Sequence, residues 1–180
     1  IDSMIKTDEL CVGDCSGTIT VFSNGALLYS LDGITYQGSN LFSNLCAGTY
    51  TVYVQDSNFC LSIDSTVILG PSPVTLQAFS DTTICIGGTA QLNAIGSGGV
   101  GAFTYAWDNG DLTQLVSVSP IINQSYCVVA TDSNGCPSSQ QCVSVTVNPP
   151  LSVIALSNQT ICVGDSANIS ATASGGDGGP

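Results

Sequence analysis

The sequence predicts an all-β fold in which small β-sandwiches follow one another along the chain. Three observations predict it: short runs that alternate apolar residues with Thr, Ser or Gln, turn residues between those runs, and segments that recur at a fixed spacing. Alternation is typical of strands with one buried face, and turns about every eight to twelve residues favour sandwiches. No apolar stripe with the 3.6-residue period of a helix stands out.

The alternating runs predict the strands, and each run is bounded by Gly, Asn, Asp, Ser or Pro. In chain order they are GTITVF, TYTVYVQD, STVIL, VTLQAF, TAQLNAI, FTYAW, LVSVS, SYCVVATD, CVSVTV, LSVIAL and SANISATA. In SYCVVATD, the two-residue period puts Tyr126, Val128 and Ala130 on one face. The run TYTVYVQD repeats this inward set from Tyr50. These strands therefore each turn one face to a core.

Two segments of the chain are written twice. TTICIGGTAQLNA, which contains Cys85, reappears as QTICVGDSANISA, which contains Cys162, at an offset of 77 residues. YTVYVQDSNFC, from Tyr50, likewise returns as YCVVATDSNGC, from Tyr126. A fixed period of this kind indicates tandem modules, in which the second segment is the same late strand and turn.

Proline-containing joints separate the modules, GPSP at Gly70–Pro73 and NPP at Asn148–Pro150. Proline cannot donate to a β-ladder and stiffens a junction. We therefore predict a sandwich over residues 1–72, a second over 73–148, and the start of a further, incomplete repeat over 149–180.

The last segment holds only two predicted strands, so Ile161 and Ile169 need cover from strands that follow. A two-stranded hairpin is marginal alone in water. Later residues of the same polypeptide or strands of a neighbouring subunit would complete it. We favour the same polypeptide, because the period predicts another late strand downstream, and we expect the sequence to be a segment of a longer secreted protein.

Charge excludes several function classes. The chain has one Lys or Arg residue, Lys6, no His, and thirteen Asp or Glu residues, giving a net charge of −12. It cannot neutralise phosphates, so we expect neither nucleic-acid nor anionic-membrane binding. No apolar run reaches the ~18 residues of a membrane span, so we expect no membrane insertion.

The missing residue types also argue against an enzyme. Without His, and with one Lys, the usual Ser and Cys catalytic groups cannot be assembled. Paired carboxylates of a glycosidase are the remaining option. The acidic residues, however, lie in turn contexts such as DNGD and DSNG, where Asp stabilises the turn. We therefore expect no catalytic residues.

The nine cysteines favour disulfides over zinc, because neither CxxC pairs nor His ligands are present. Disulfides place the protein outside the reducing cytoplasm. Cys127 and Cys142 lie equally far from the SNG turn, so a regular hairpin puts them opposite each other. Cys15 and Cys46 each precede a strand and are expected to close one end of the first module.

Five cysteines then remain, and two pairings stay open. The simpler joins Cys11 to Cys60 and Cys85 to Cys136, which leaves Cys162 unpaired. In a sandwich, however, the loop after the first strand and the last hairpin turn lie at opposite ends, about 20 Å apart. Cys11 would then bond Cys136 of the next module instead. We favour pairing within modules.

Three aromatic residues are expected in the cores. Trp107, in YAWDNG, lies on an early strand, and its side chain is expected to fill the core. Tyr50 and Tyr126 each begin a penultimate strand, where a tyrosine buries its ring while its hydroxyl bonds to backbone.

No cofactor is expected, and calcium is a weak hypothesis only. Asp108, Asp111 and Asp132 could offer oxygen ligands, but their spacing matches no dedicated calcium loop. The alternative, that they form turns, is favoured.

Several stretches resemble known bacterial surface repeats. CSGTITV and YSLDGITYQGSNLFSNLCAGTYTVYVQDSNFC resemble the SprB repeat of giant Bacteroidetes surface proteins. TICIGGTAQLNA, YAWDNG and SYCVVATDSNGC resemble the PKD-like, or Ig-like, modules beside such repeats. The chain departs from the pattern at Phe59, where the repeat has Gly, and in the extra pair Cys127 and Cys142. The resemblance implies a gliding-type or adhesin-type tandem-repeat protein, exported by type IX secretion and displayed on the cell surface.

Short Asp-Ser/Thr motifs resemble the sites at which Bacteroidetes attach O-linked glycans to exported proteins, which would make the chain a glycoprotein. The candidate acceptors are Ser3, Ser65, Thr82 and Ser166.

The expected function is therefore a structural or adhesive segment of a long extracellular repeat protein that forms a surface fibre or filament, without catalysis. The expected partners are other repeats of the same chain or neighbouring subunits, with surface polysaccharide as a further candidate. The alternative is an accessory carbohydrate- or calcium-binding module of a larger secreted enzyme.

Overall fold

In a computed structural model, the chain is described over residues 1–79, 82–156 and 159–176. Every regular element among these residues is a β-strand, so the all-β prediction is confirmed. The strands are β1 Ser3–Thr7, β2 Gly17–Phe22, β3 Ala26–Ser30, β4 Leu41–Leu45, β5 Gly48–Asp56, β6 Leu61–Ile68, β7 Thr75–Phe79, β8 Thr82–Cys85, β9 Ala90–Ser97, β10 Thr104–Trp107, β11 Leu115–Val118, β12 Gln124–Thr131, β13 Gln141–Asn148, β14 Ser152–Leu156 and β15 Ser170–Ser174. No helix long and apolar enough to cross a membrane occurs in the described part of the chain.

The chain divides into two compact units. Unit 1 comprises Ile1–Leu76, Gly96–Thr104 and Val129–Ser139. It contains two three-stranded antiparallel sheets, ordered β1-β2-β4 and β3-β5-β6. The longest ladder joins β5 to β6.

The core of unit 1 draws on both of its sheets, which makes the unit a β-sandwich. Alternate residues of β2 and β5 point inward, as their two-residue period predicts. The buried cluster consists of Ile19, Val21, Tyr29, Phe42, Leu45, Val52, Val54 and Ile68. Four of them, Ile19, Val21, Val52 and Ile68, are at most 1% exposed.

Unit 2 comprises Gln77–Ile95, Tyr105–Val128 and Gln140–Pro180. It holds β8, β11 and β13 and the larger part of β7, β9, β10 and β12. These strands form a three-stranded sheet, β11-β9-β7, and a four-stranded sheet, β10-β12-β13-β8. Strand β8 runs parallel to β13, whereas β12 and β13 are antiparallel. Its buried apolar residues are Ala90, Leu92, Ala94, Trp107, Val116, Val118, Tyr126, Val128, Val143 and Val145.

Strands β14 and β15 form a separate two-stranded sheet within unit 2. Its apolar residues are poorly covered: Val153 is 62% exposed, and Ile161 and Ile169, next to the sheet, are 50% and 83% exposed. This is the state expected of the first two strands of a sandwich. The module borders predicted at residues 72 and 148 stay a prediction.

Candidate functional site: the cysteine loops and turns

Six of the nine cysteines form disulfides and three are free. The bonds join Cys11 to Cys136, Cys15 to Cys46, and Cys127 to Cys142, with Cα–Cα distances of 5.5, 3.8 and 4.0 Å. The free cysteines, Cys60, Cys85 and Cys162, are all exposed.

Two of these bonds are the pairings expected from the sequence. Cys127 lies directly opposite Cys142 in the β12–β13 ladder, as their equal distance from the turn predicts. Cys15 lies just before β2 and Cys46 lies between β4 and β5, so their bond closes the end of unit 1 at which Gly17 pairs with Leu45.

The favoured pairing of the remaining cysteines is wrong. Cys11 bonds Cys136, and Cys60 and Cys85, expected to be bonded, are free. Strand length is the reason for Cys60. Cys46 precedes the nine-residue strand β5 and Cys60 follows it, which separates them by about 30 Å at ~3.3 Å per residue. Cys11 is only four residues from Cys15, which is bonded to Cys46, so Cys11 cannot reach Cys60.

Cys11 lies in a tight turn between β1 and β2. The Asp14 N–H donates to the Cys11 carbonyl at 3.2 Å, and Gly13 takes a φ of +75°. The Asp14 carboxylate accepts from the backbone N–H of Ser16 and of Cys11, both at 3.0 Å. These bonds, that of Ser16 foremost, hold the pKa of Asp14 below its usual range. The loop is thus held by one backbone hydrogen bond and by the Asp14 side chain.

Glu9 supports the same loop from beneath. It is 7% exposed, and its carboxylate accepts from the N–H groups of Cys15 and Gly13 at 3.2 and 3.3 Å. Glu9, Cys15 and Cys46 are close enough to share a metal ion. The two sulfurs are bonded to each other, however, and have no thiolate to offer a metal. The Glu9 carboxylate and the Cys15–Cys46 disulfide therefore stabilise the loop and do not form a metal site.

Cys136 follows a turn built around Asp132. Oδ1 of Asp132 accepts hydrogen bonds from the backbone N–H groups of Asn134 and Cys136, both at 2.9 Å, and Oδ2 accepts one from the Val100 N–H at 2.8 Å. These bonds, that of Cys136 foremost, lower the pKa of Asp132. Gly135 has a φ of +87°. Buried Asp132 is thus fully used in holding the turn.

The turn at Cys60 has the same construction. Oδ1 of Asp56 accepts from the N–H groups of Asn58 and Cys60 at 2.8 and 2.9 Å. Phe59 replaces Gly135 and adopts a left-handed φ of +64°, which non-glycine residues rarely take. Its side chain is 77% exposed. The substitution at Phe59 therefore keeps the turn's hydrogen bonds.

The loops at Cys85 and Cys162 repeat the Cys11 loop. Gly88 donates to the Cys85 carbonyl at 2.9 Å, and Asp165 donates to that of Cys162 at 3.1 Å. The glycine before each donor has a positive φ, as Gly13 does. The signal is present in the sequence as LCVGD, ICIGG and ICVGD, but the first copy was missed. We call Cys11, Cys85 and Cys162 the loop cysteines, and Cys60 and Cys136 the turn cysteines.

The proline joints also repeat. In unit 1, Gly99 donates to the Ser72 carbonyl at 3.0 Å. In unit 2, Gly176 donates to the Pro149 carbonyl at 3.0 Å. Because both donors have a positive φ, the same backbone arrangement follows each joint.

Two of the three predicted core aromatics are buried, and the third is half-buried. Trp107 and Tyr126 are 4% and 5% exposed, and the Trp107 indole donates to the Thr113 carbonyl at 2.9 Å. Tyr50 is half-buried, packs against the core of unit 1, and donates its hydroxyl to the Cys46 carbonyl at 2.9 Å. Burial and, less strongly, the charge of Asp108 raise the pKa of Tyr126.

The three calcium candidates do not form a group. Asp108 and Asp111 are exposed residues of unit 2, whereas Asp132 belongs to unit 1. The one group of clustered potential ligands in the described residues contains none of them. Asp132 is the turn residue that the favoured interpretation expects.

The glycan candidates differ in accessibility. Ser3, Ser65 and Ser166 are exposed, and Thr82 is half-buried. Asp81, which precedes Thr82 in its motif, lies outside the described residues.

Comparison with known proteins gives distant structural similarities only. No family model and no curated protein matches the chain. It is similar to the fibronectin(III)-like modules of Clostridium thermocellum CbhA, with a TM-score of 0.38, 13% identity, and coverage of 81% of this chain and 95% of that one. Against the N-terminal four Ig domains of Dscam1 isoform 8.4 the values are 0.37, 13%, 68% and 37%. Against murine CEACAM1b they are 0.30, 11%, 78% and 95%. The fold itself, read from the strand pairings and cores above, is an Ig-like β-sandwich.

Proposed function

We propose that this chain is a structural and adhesive segment of a long extracellular repeat protein that forms a surface fibre, and that it carries no catalytic site. The observation that supports this most is the repeated joint. Gly99 bonds Ser72 and Gly176 bonds Pro149 in the same way, both at 3.0 Å. A chain that builds one joint twice is organised as an array of repeats.

The disulfides support an extracellular setting. Three disulfides in one short chain are typical of oxidising compartments and rare in the cytosol. The Cys11–Cys136 bond spans 125 residues and joins a loop before the first proline joint to a turn after it. A force that stretches the chain would therefore be carried by this covalent bond and not by the proline joint, as a fibre requires.

The finer assignment rests on the sequence resemblance. It supports a Bacteroidetes protein with SprB-like and PKD-like repeats, type IX export, and O-glycans at exposed Ser3, Ser65 and Ser166 and at Thr82. The proposed partners are other repeats of the same chain, neighbouring subunits and surface polysaccharide.

Immunogold electron microscopy of the source cells, with antibodies raised against residues 1–180, tests the proposal. We expect label along filaments that extend from the cell surface. Label that copurifies with a soluble, catalytically active secreted protein would instead support the accessory-module alternative and overturn the fibre proposal.

A further inference from the structure

We propose that the three free cysteines are open halves of disulfides between successive repeats, in which a loop cysteine bonds the turn cysteine of the repeat that follows. Cys11–Cys136 is the bond of this kind that the chain already contains. Cys85 and Cys162 would each take a turn cysteine, and Cys60 would take a loop cysteine. The inference rests on the proposed function only in that further repeats of this kind exist.

The closed example lies within unit 1. Cys136 is 6% exposed, and its turn sits against the Cys11 loop. The Asn134 side-chain amide donates to the Leu10 carbonyl at 3.3 Å. Val12 and the proline joint, including Pro71 and Pro73, line the same place. A loop, a turn and a joint therefore meet around the disulfide.

The corresponding place around Cys85 is open. Its loop has the same turn, and Ile86 stands where Val12 stands in the first copy. An apolar groove in unit 2 begins at Ile86 and continues along Ile121, Ile122, Val147, Pro149 and Pro150. Ile86, Ile121 and Ile122 are 48%, 72% and 70% exposed. Exposed Cys85 directly precedes Ile86 in the chain, so a free thiol lies next to uncovered apolar side chains and a proline joint.

The occupant that fits this groove is the Asp-x-x-x-Cys turn of another repeat. Residues 151–176 already begin such a repeat, since Gly176 makes the bond to Pro149 that Gly99 makes to Ser72. In the second repeat, β10, β11 and β12 follow this bond, and β12 leads on to the Cys136 turn. A third repeat of the same design would therefore bring its turn to Cys85 as the second brings Cys136 to Cys11.

Cys60 supplies the other half of the pattern. Its turn keeps the Asp56 hydrogen bonds of the Asp132 turn, and Asn58 stands where Asn134 stands. Cys60 itself is free and exposed, and exposed Phe59 lies next to it. A turn cysteine with this construction is bonded at Cys136, so Cys60 is built to bond the loop of a preceding repeat.

Formation of these disulfides from free thiols requires an oxidant. Each bond forms by thiol–disulfide exchange: one cysteine thiolate attacks a disulfide such as oxidised glutathione and releases one glutathione thiolate. The second cysteine thiolate then attacks the resulting mixed disulfide and displaces the other glutathione thiolate. Two thiols lose two protons and two electrons, one S–S bond forms, and the oxidant leaves as two thiols. Exposure makes all three free cysteines accessible to this reaction.

The test uses the chain itself, concentrated in a buffer of oxidised and reduced glutathione, with linkages mapped by peptide mass spectrometry. We expect covalent multimers joined from Cys60 of one copy to Cys85 or Cys162 of another. Cys60→Ser should abolish these loop-to-turn multimers, whereas the matched variant Cys85→Ser should keep the Cys60–Cys162 linkage. Cys60–Cys60 and loop–loop linkages in equal or greater amount, or glutathione caps alone, would overturn the inference.

A second variant tests the bond within one polypeptide. A copy of residues 104–148 placed after Pro180 supplies the late strands and turn that the third repeat needs. With Cys60→Ser added, and at high dilution in the same buffer, we expect Cys85 to bond the new turn cysteine while Cys162 stays open to alkylation. If Cys85 stays as open as Cys162 while Cys11–Cys136 is intact, the inference is wrong. Either failure leaves the filament localisation, and hence the proposed function, untouched.

Discussion

Removing the Cys11–Cys136 bond should destabilise unit 1 more than removal of either other disulfide destabilises its own unit. The perturbation is the double variant Cys11→Ala, Cys136→Ala, with Cys127→Ala, Cys142→Ala as the matched control. Alanine avoids placing a hydroxyl at buried Cys136. A disulfide stabilises mainly by restricting the unfolded chain, so the effect grows with the length of the loop that it closes.

The loop lengths set the magnitudes. The Cys11–Cys136 bond closes 125 residues, for which chain entropy gives about 5 kcal/mol. The Cys127–Cys142 bond closes 15 residues, which corresponds to about 3 kcal/mol. The difference of about 2 kcal/mol is a factor of about 30 in the unfolding equilibrium.

The assay is a urea series with a separate readout for each unit. Hydrogen exchange of the β2 and β5 amides reports unit 1, and the fluorescence of Trp107, the sole tryptophan, reports unit 2. We expect the Cys11/Cys136 variant to lose about 5 kcal/mol in unit 1 and the control to lose about 3 kcal/mol in unit 2. A Cys11/Cys136 variant that loses less than the control would refute the reasoning from loop length.

Three further predictions concern the two turns, the Tyr50 hydroxyl and the carboxylates with a lowered pKa. Phe59→Gly should stabilise unit 1 by up to about 1 kcal/mol, because it removes a side chain from a residue with a left-handed backbone φ. Gly135→Ala should destabilise unit 1 by a similar amount, because it adds a side chain at such a residue. The urea unfolding midpoints of the two variants should therefore shift in opposite directions. Tyr50→Phe should cost about 1 kcal/mol through loss of the hydroxyl bond to the Cys46 carbonyl, and an unchanged midpoint would contradict it. The melting temperature should stay constant between about pH 5 and 7 and should fall below about pH 4. The reason is that a carboxylate whose pKa is lowered by folding stabilises the fold at any pH above its unfolded pKa. This stabilisation is lost as the pH falls through the folded pKa. These carboxylates are Asp8, Asp14, Asp32 and Asp132.

Regular alternation made most of the fold predictable, and three of the four missed strands break it for identifiable reasons, whereas the four-residue strand β8 alternates. Strand β1 is almost wholly exposed, so it carries no inward set. In β4 the buried residues Phe42 and Leu45 are three apart, because Asn44 takes a left-handed φ of +58°. In β3 the adjacent residues Tyr29 and Ser30 are both buried, beyond a register shift. A period of two cannot find such strands.

The candidate site was predictable only where partners share a local hairpin or strand end. Cys127 and Cys142 face each other across one turn, so the sequence is enough. The partner of Cys11 lies 125 residues away, and finding it requires knowing which ends of the strands meet. The length of β5, taken with the Cys15–Cys46 bond, excludes Cys60 as that partner. The role of Asp132 was open for the same reason, because its bond to Val100 crosses 32 residues.

The most direct test of the whole account is the pairing of Cys11 in the native protein. Native material, alkylated without reduction and digested, can be mapped by mass spectrometry for each disulfide-linked peptide. The account predicts a peptide pair joining Cys11 to Cys136, with Cys60 absent from any bond to Cys11. A peptide pair joining Cys11 to Cys60 would contradict the repeat-to-repeat disulfide on which the account rests.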